Sequence, residues 1–209
     1  YSSAASDVYK RQYRMGEKVK IPNNHIELVN LIFAQLEITY HNQFHKAFKD
    51  EISLNLAKQL WLKKLEIFTL ELIFEAIDEL TSKSKFLPSL SQTLEEVKSH
   101  FLKKEGISSV DSAFAEACLG SDDPENFNWS HSLIYETAKN FGWSDLRRSE
   151  ESKGFEKFQS LMSDSIKDYL NDPNNFYLPI SNTTEDKKTN LSQEKQIHLL
   201  EKLKDKHLI

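Results

Sequence analysis

The chain reads as an all-α protein on three observations. Apolar side chains recur at intervals of three and four residues through most of its length, which gathers them on one face of a helix. Valine, the commonest strand former, is scarce, whereas Leu, Lys, Glu, Ser and Phe are abundant. Only five glycines and five prolines punctuate 209 residues, and most of them fall between the periodic runs. The predicted layout is two small helical units, 21–105 and 106–180, joined at a Pro- and Gly-punctuated hinge. A flexible linker (181–190) and a C-terminal amphipathic helix (191–209) follow, and residues 1–20 form a tail outside the fold. The opening of that tail, 1–12, reads as translated adapter sequence rather than native chain, with Met15 as the candidate start. No apolar core follows its basic residues, so it is not a signal peptide.

The first helix is expected from Asn24, with Ile26, Val29, Phe33, Leu36 and Tyr40 on one stripe that Phe44 and Phe48 extend. A second carries Leu54, Leu56, Leu60, Trp61 and Leu65 inward and leaves Lys58, Lys63 and Lys64 in water. A third, near 70–80, turns Leu70, Ile73, Phe74, Ile77 and Leu80 to the core and an acidic face of Glu71, Glu75, Asp78 and Glu79 outward. Pro88 cannot sit inside a helix, so it separates this run from the next. That next helix opens on Ser89-x-x-Gln92, a capping-box spacing, and buries Leu90, Leu94, Val97 and Phe101 until Gly106 ends it.

In the second unit, Ser108 or Ser109 caps a helix carrying Val110, Phe114 and Ala117, closed by Gly120 in the C-cap position. After the polar connector 121–126, a helix with Leu133, Ile134, Thr137, Ala138 and Phe141 lies between Trp129 and Trp143 and ends at Gly142. A longer run from about 149 to 170 spaces Phe155, Phe158, Met162, Ile166 and Tyr169 on one face and stops before Pro173. Residues 176–180 contain Pro179 and read as extended. Residues 181–190 have no apolar side chain to offset their ordering entropy, hence the predicted flexibility. Beyond them, Ile197, Leu200 and Leu203 form the stripe of a Lys-rich helix, which on its own is marginal in water and so docks back or meets a partner.

Several function classes are excluded. A formal charge of −5 argues against a protein that coats nucleic acid by bulk electrostatics and leaves room only for a weak local contact with single-stranded DNA. The single cysteine, Cys118, precludes an internal disulfide. No apolar run approaches a membrane span, and a cytoplasmic protein is expected. No glycine sits in a phosphate-cradling loop. His41 and His45 share a helix face but lack further ligands, so a solvated pair is favoured over a metal site. Cys118 has no His partner, and the pairs Glu95-Glu96, Asp122-Asp123 and Glu150-Glu151 read as solvated charge. The expectation is a protein that is not an enzyme, with no catalytic residue, no metal and no cofactor. Trp129 and Trp143 fit either a core or a partner contact, since tryptophan serves both.

The order of landmarks resembles that of the replication protein P family typified by phage lambda. It is carried by Val29-x-x-x-Phe33-x-Gln35-Leu36, by Trp61, and by the turn Phe86-Leu87-Pro88-Ser89 with Gln92 after it. Glu116-x-Cys118, Pro124, Trp129, Leu146-Arg147-Arg148 and the Lys- and Leu-rich segment 193–208 continue it, so the resemblance spans nearly the whole chain. The helix before Phe86 is acidic where the phage protein is basic, which points to a different initiator.

The resemblance implies a loader of the replicative DNA helicase, a DnaB-type hexamer, which holds the ring open and inactive and delivers it to origin single-stranded DNA. It also implies a replication initiator as second partner. On this reading Trp129, Trp143, Phe155, Phe158, Ile197, Leu200 and Leu203 meet the helicase or another partner, and Phe33, Leu36, Trp61, Phe86 and Leu87 form an initiator-side surface. The alternative is a non-enzymatic helical adaptor unrelated to replication.

Overall fold

A computed structural model of the chain describes residues 20–149 and 151–179. The fold is all-α: among the described residues there are nine α-helices, one 3-10 turn and no strand. The chain divides after Phe101 into two compact units.

The first unit contains α1 (His25–Thr39), α2 (His41–Ala47), α3 (Glu51–Leu65), α4 (Leu70–Lys83) and most of α5 (Leu90–Lys104). All of these starts except that of α2 are set by a side chain that satisfies an orphan backbone amide. Asn24 Oδ1 accepts from Glu27 N at 2.9 Å, Asp50 Oδ1 from Ser53 N at 2.7 Å, and Thr69 Oγ1 from Leu72 N at 3.4 Å. The hydrogen bonds from Ser53 hold the Asp50 carboxyl below its usual range. At α5 the capping box is reciprocal: Gln92 N donates to Ser89 Oγ at 3.3 Å and Ser89 N to Gln92 Oε1 at 2.9 Å. Helix α1 packs on α2, α3 and α4, and the core is Leu28, Val29, Ile32, Phe33, Leu36, Trp61, Leu65, Ile73 and Ile77.

Four expectations fail in this unit. Ile26 lies in the first turn of α1 and is exposed, as are Leu56 and Leu60 of α3. Apolar residues surround most of α3, so periodicity alone cannot tell its two apolar sides apart; Trp61 and Leu65 turn inward and the other pair faces water. The stripe from Val29 to Phe48 is also not one helix, because Tyr40 departs from helical geometry between α1 and α2. Its hydroxyl donates to the carbonyls of Thr81 (3.3 Å) and Ser84 (3.0 Å) at the end of α4, which holds the break in place. Lys58 is half-buried, its ammonium 5.8 Å from the Phe33 ring centre. Burial lowers its pKa, and the Glu37 carboxylate opposes the shift.

The second unit holds α6 (Val110–Gly120), α7 (Ser132–Phe141), α8 (Trp143–Arg148), α9 (Glu151–Asn171) and the 3-10 turn Pro173–Asn175. Helix α9 packs along α7 and also on α6, while α8 closes against both α6 and α7. Ser109 caps α6 in a capping box with Ser112. Gly142 has φ +96°, a conformation that glycine adopts without strain, and it lets the chain leave α7 and enter α8 at once. Gly106, after α5, also has positive φ (+80°). Residues 176–179 form no helix or strand, and the Phe176 ring packs edge-on against Tyr169 at 5.2 Å. The expected linker and C-terminal helix, 181–209, and residues 1–19 of the tail lie outside the described residues. Among the described residues no helix is long and apolar enough to cross a membrane.

Candidate interaction surfaces

In the second unit two of the expected binding residues, Trp129 and Trp143, share one aromatic cluster. Trp129 is 5% exposed; its Nε1 donates to the Pro124 carbonyl at 2.8 Å. Its ring lies 4.8 Å from Phe127, 5.5 Å from Tyr135 and 5.9 Å from Trp143. Next to it, Ser130 donates through its backbone N and its Oγ to the two carboxylate oxygens of Glu116, both at 2.6 Å, which ties the connector to α6. Arg147 donates to the carbonyl of buried Ser121 at the start of that connector.

Trp143 and Tyr135 are half-buried, with rings 5.8 Å apart. Trp129 is therefore the floor of the cluster, and Trp143 with Tyr135 forms its half-exposed rim. Phe158 is fully buried between Phe114 and Phe141 and belongs to the core; this corrects its assignment as a contact residue. Phe155 is half-buried, edge-on to Phe114 at 5.8 Å. Ile197, Leu200 and Leu203 lie outside the described residues.

Gly120 has a different role from the one its position suggested. It is the last residue of α6 and does not adopt a left-handed cap; a Cβ there would sit 2.5 Å from two atoms of the Trp129 ring and 2.9 Å from the Phe127 ring. The glycine is needed because the indole lies flush against the helix. Gly120→Ala should destabilise the second unit by about 1–3 kcal/mol, the usual penalty of overpacking. Denaturant titration followed by helical circular dichroism measures it, and an unchanged midpoint would show that the buried indole can move aside.

In the first unit the expected initiator-side residues divide. Phe33, Leu36 and Trp61 are buried; the assignment of these three to a surface is corrected, since all lie in the core and the Phe33 and Trp61 rings, 5.2 Å apart, lock α1 to α3. Phe86 is 72% exposed. The turn presenting it is fixed at both ends, because Leu87 N donates to Gln43 Oε1 at 2.7 Å and Ser84 Oγ to the Phe86 carbonyl at 2.6 Å. Leu87 is half-buried and Pro88 is buried. The turn thus offers one aromatic side chain on a backbone that is already ordered.

One cluster was missed from the sequence. Glu79 on α4 meets Glu96 and His100 on α5, with metal-capable atoms all within 4.8 Å of one another. His100 Nε2 is buried, 2.7 Å from Glu79 Oε2 but off the line of a hydrogen bond, and 3.5 Å from Glu96. Lys83 hydrogen-bonds the other Glu79 oxygen and lies 3.9 Å from Glu96. That bond to Lys83 holds the Glu79 carboxyl below its usual range and raises the lysine. Two carboxylates thus face an ammonium and an imidazole, an arrangement that ties α4 to α5. The i,i+4 spacing of Glu96 and His100 was the available signal. His41 and His45 are exposed, edge-on at 4.6 Å, with Glu37 3.7 Å from His45.

A family model described as replication protein P matches residues 27–174 of the chain, well over half of its length. No curated protein and no solved structure matches it.

Proposed function

The chain belongs to the replication protein P family, and from that membership we propose that it loads the replicative helicase at a replication origin. It is a DNA replication protein. In the proposed role it binds a DnaB-type hexamer, holds the ring open and inactive, and delivers it to single-stranded DNA. A replication initiator is the second proposed partner, with a weak single-stranded DNA contact. The observation that carries this reading is the family match, which spans residues of both helical units.

The role needs no chemistry from the loader. A closed ring cannot thread onto a duplex origin without a free end, and a protein that binds the open ring more tightly than the closed one shifts the population by that difference alone. Exposed aromatic and aliphatic side chains on an ordered helical scaffold are the groups such differential binding uses. Trp143 and Tyr135 at the rim of the second unit, and Phe86 at the turn of the first, are the proposed contacts there. Residues 191–209 are proposed as a binding arm, in which Leu200 and Leu203 would each contribute roughly 1.5–3 kcal/mol if buried in a groove.

Mixing the purified chain with a DnaB-type replicative helicase should give a stable complex in which ATP hydrolysis and unwinding are suppressed. Leu200→Asp with Leu203→Asp should weaken that complex by about tenfold or more while leaving the melting temperature nearly unchanged. Failure of the two proteins to co-elute, or unwinding stimulated with no release factor present, would refute the loader reading.

A further inference from the structure

Helix α3 carries apolar side chains on two sides, and only one is used within its unit. Trp61 and Leu65 are buried, with the Trp61 ring edge-on to Phe33 at 5.2 Å. Ile52, Leu56 and Leu60 are 81%, 57% and 51% exposed. Their i, i+4, i+8 spacing sets them in one ridge roughly 12 Å long. Single exposed aliphatics are ordinary on any protein; three in register along one helix are not, because each keeps apolar area in water that a packed neighbour would bury.

A second ridge runs beside the first at the same spacing: Glu51, Asn55, Gln59 and Lys63, all exposed. Lys64, also exposed, prolongs the aliphatic ridge at its far end. The outer face of α3 is therefore acidic where the helix begins, neutral along its middle and basic where it ends. That order suits the helix dipole, which explains the charges at each end but not the aliphatics between them.

We propose that the outer face of α3 pairs with the same face of a second copy of this chain, the two helices antiparallel about a two-fold axis near Leu56. The face is complementary to itself in that arrangement. Running antiparallel, Leu56 meets Leu56, Ile52 meets Leu60, Asn55 meets Gln59, and Glu51 meets Lys63, each of the last three pairs occurring twice. A shallow crossing of about 20° keeps the charged ends of the two helices within reach. Nucleic acid is the poorer fit, since phosphates would engage the two lysines and leave three aliphatics in water. An acidic helix of another protein would match Lys63 and Lys64 but meet Glu51 with like charge. The proposal stands whether or not the chain loads a helicase.

Sedimentation equilibrium of the full chain over a range of concentrations tests it. A mass rising from monomer toward dimer is expected. Leu56→Asp sets two carboxylates against each other at the axis and should raise the dissociation constant by about tenfold or more. It should do so at an unchanged melting temperature under dilute conditions, because the side chain is already in water. Glu51→Lys alone, or Lys63→Glu alone, turns two attractive pairs into repulsive ones and should weaken the dimer about tenfold, the more so at low salt. Glu51→Lys with Lys63→Glu restores the pairing and should restore the dimer, which separates recognition from any loss of fold. A monomer at every concentration, a dimer that survives Leu56→Asp, or a double charge swap that stays as weak as the single ones would overturn the proposal. A chain that stays monomeric and binds an oligothymidylate strand through this face, with binding lost in Lys63→Glu with Lys64→Glu, would overturn it in favour of nucleic acid.

Discussion

Replacing Trp129 by alanine should destabilise the second unit by about 3–5 kcal/mol, the range for emptying a large aromatic site in a core. The indole touches Phe127, Tyr135 and Trp143 and lies against Gly120, so its removal opens a void that four fixed neighbours cannot fill. It also removes the donor from the Pro124 carbonyl. Trp129→Phe should recover most of the loss but leave a deficit of about 1 kcal/mol, since the ring returns without its N–H. Denaturant unfolding at constant protein concentration measures both. Trp143→Ala should cost less than Trp129→Ala, because that ring is only half-buried. A Trp129→Ala variant that unfolds at the wild-type midpoint would place the residue on a surface after all.

Phe33→Ala should destabilise the first unit on the same scale, about 3–5 kcal/mol. Its ring lies 5.2 Å from Trp61, 5.6 Å from Phe48 and 6.3 Å from Phe44, and the Lys58 ammonium stands over its face. Aromatic pairs of this kind add about 0.5–1.5 kcal/mol each beyond the area they bury. Any loss of partner binding in Phe33→Ala should therefore track loss of helical signal on heating, whereas Phe86→Ala should leave the melt unchanged. A folded Phe33→Ala protein with wild-type stability would contradict the interlocked arrangement of α1 and α3.

Helix starts were the most legible part of the fold. Ser89 with Gln92 and Ser109 declare themselves by spacing, because a short polar side chain before an apolar run has few better uses than an orphan amide. Pro88, Gly106 and Gly142 were legible for a related reason: each conformation is one that few other residues adopt. The break at Tyr40 carried no such mark, since it is held by hydrogen bonds to residues more than forty positions away. The two apolar sides of α3 were illegible because periodicity ranks faces by hydrophobicity, and here both qualify. Gly120 was misread for want of its neighbour: local sequence reports a glycine near a helix end but not the indole lying against it. The landmark aromatics that carry the family resemblance are mostly buried and hold the units together, Phe33, Trp61 and Trp129 among them, whereas Phe86 is exposed, a division that spacing alone does not report.

The aromatic cluster also makes the second unit optically distinct. Of the three tryptophans, Trp61 stands alone in the first unit, while Trp129 and Trp143 have ring centres 5.9 Å apart, tilted by 40°. Transition dipoles that close and oblique couple, so the pair contributes a far-ultraviolet exciton couplet from the strong indole band, which the lone indole cannot produce. The chain thus carries a separate intrinsic chromophore for each unit, and contact at the Trp143 rim would be visible without any attached label.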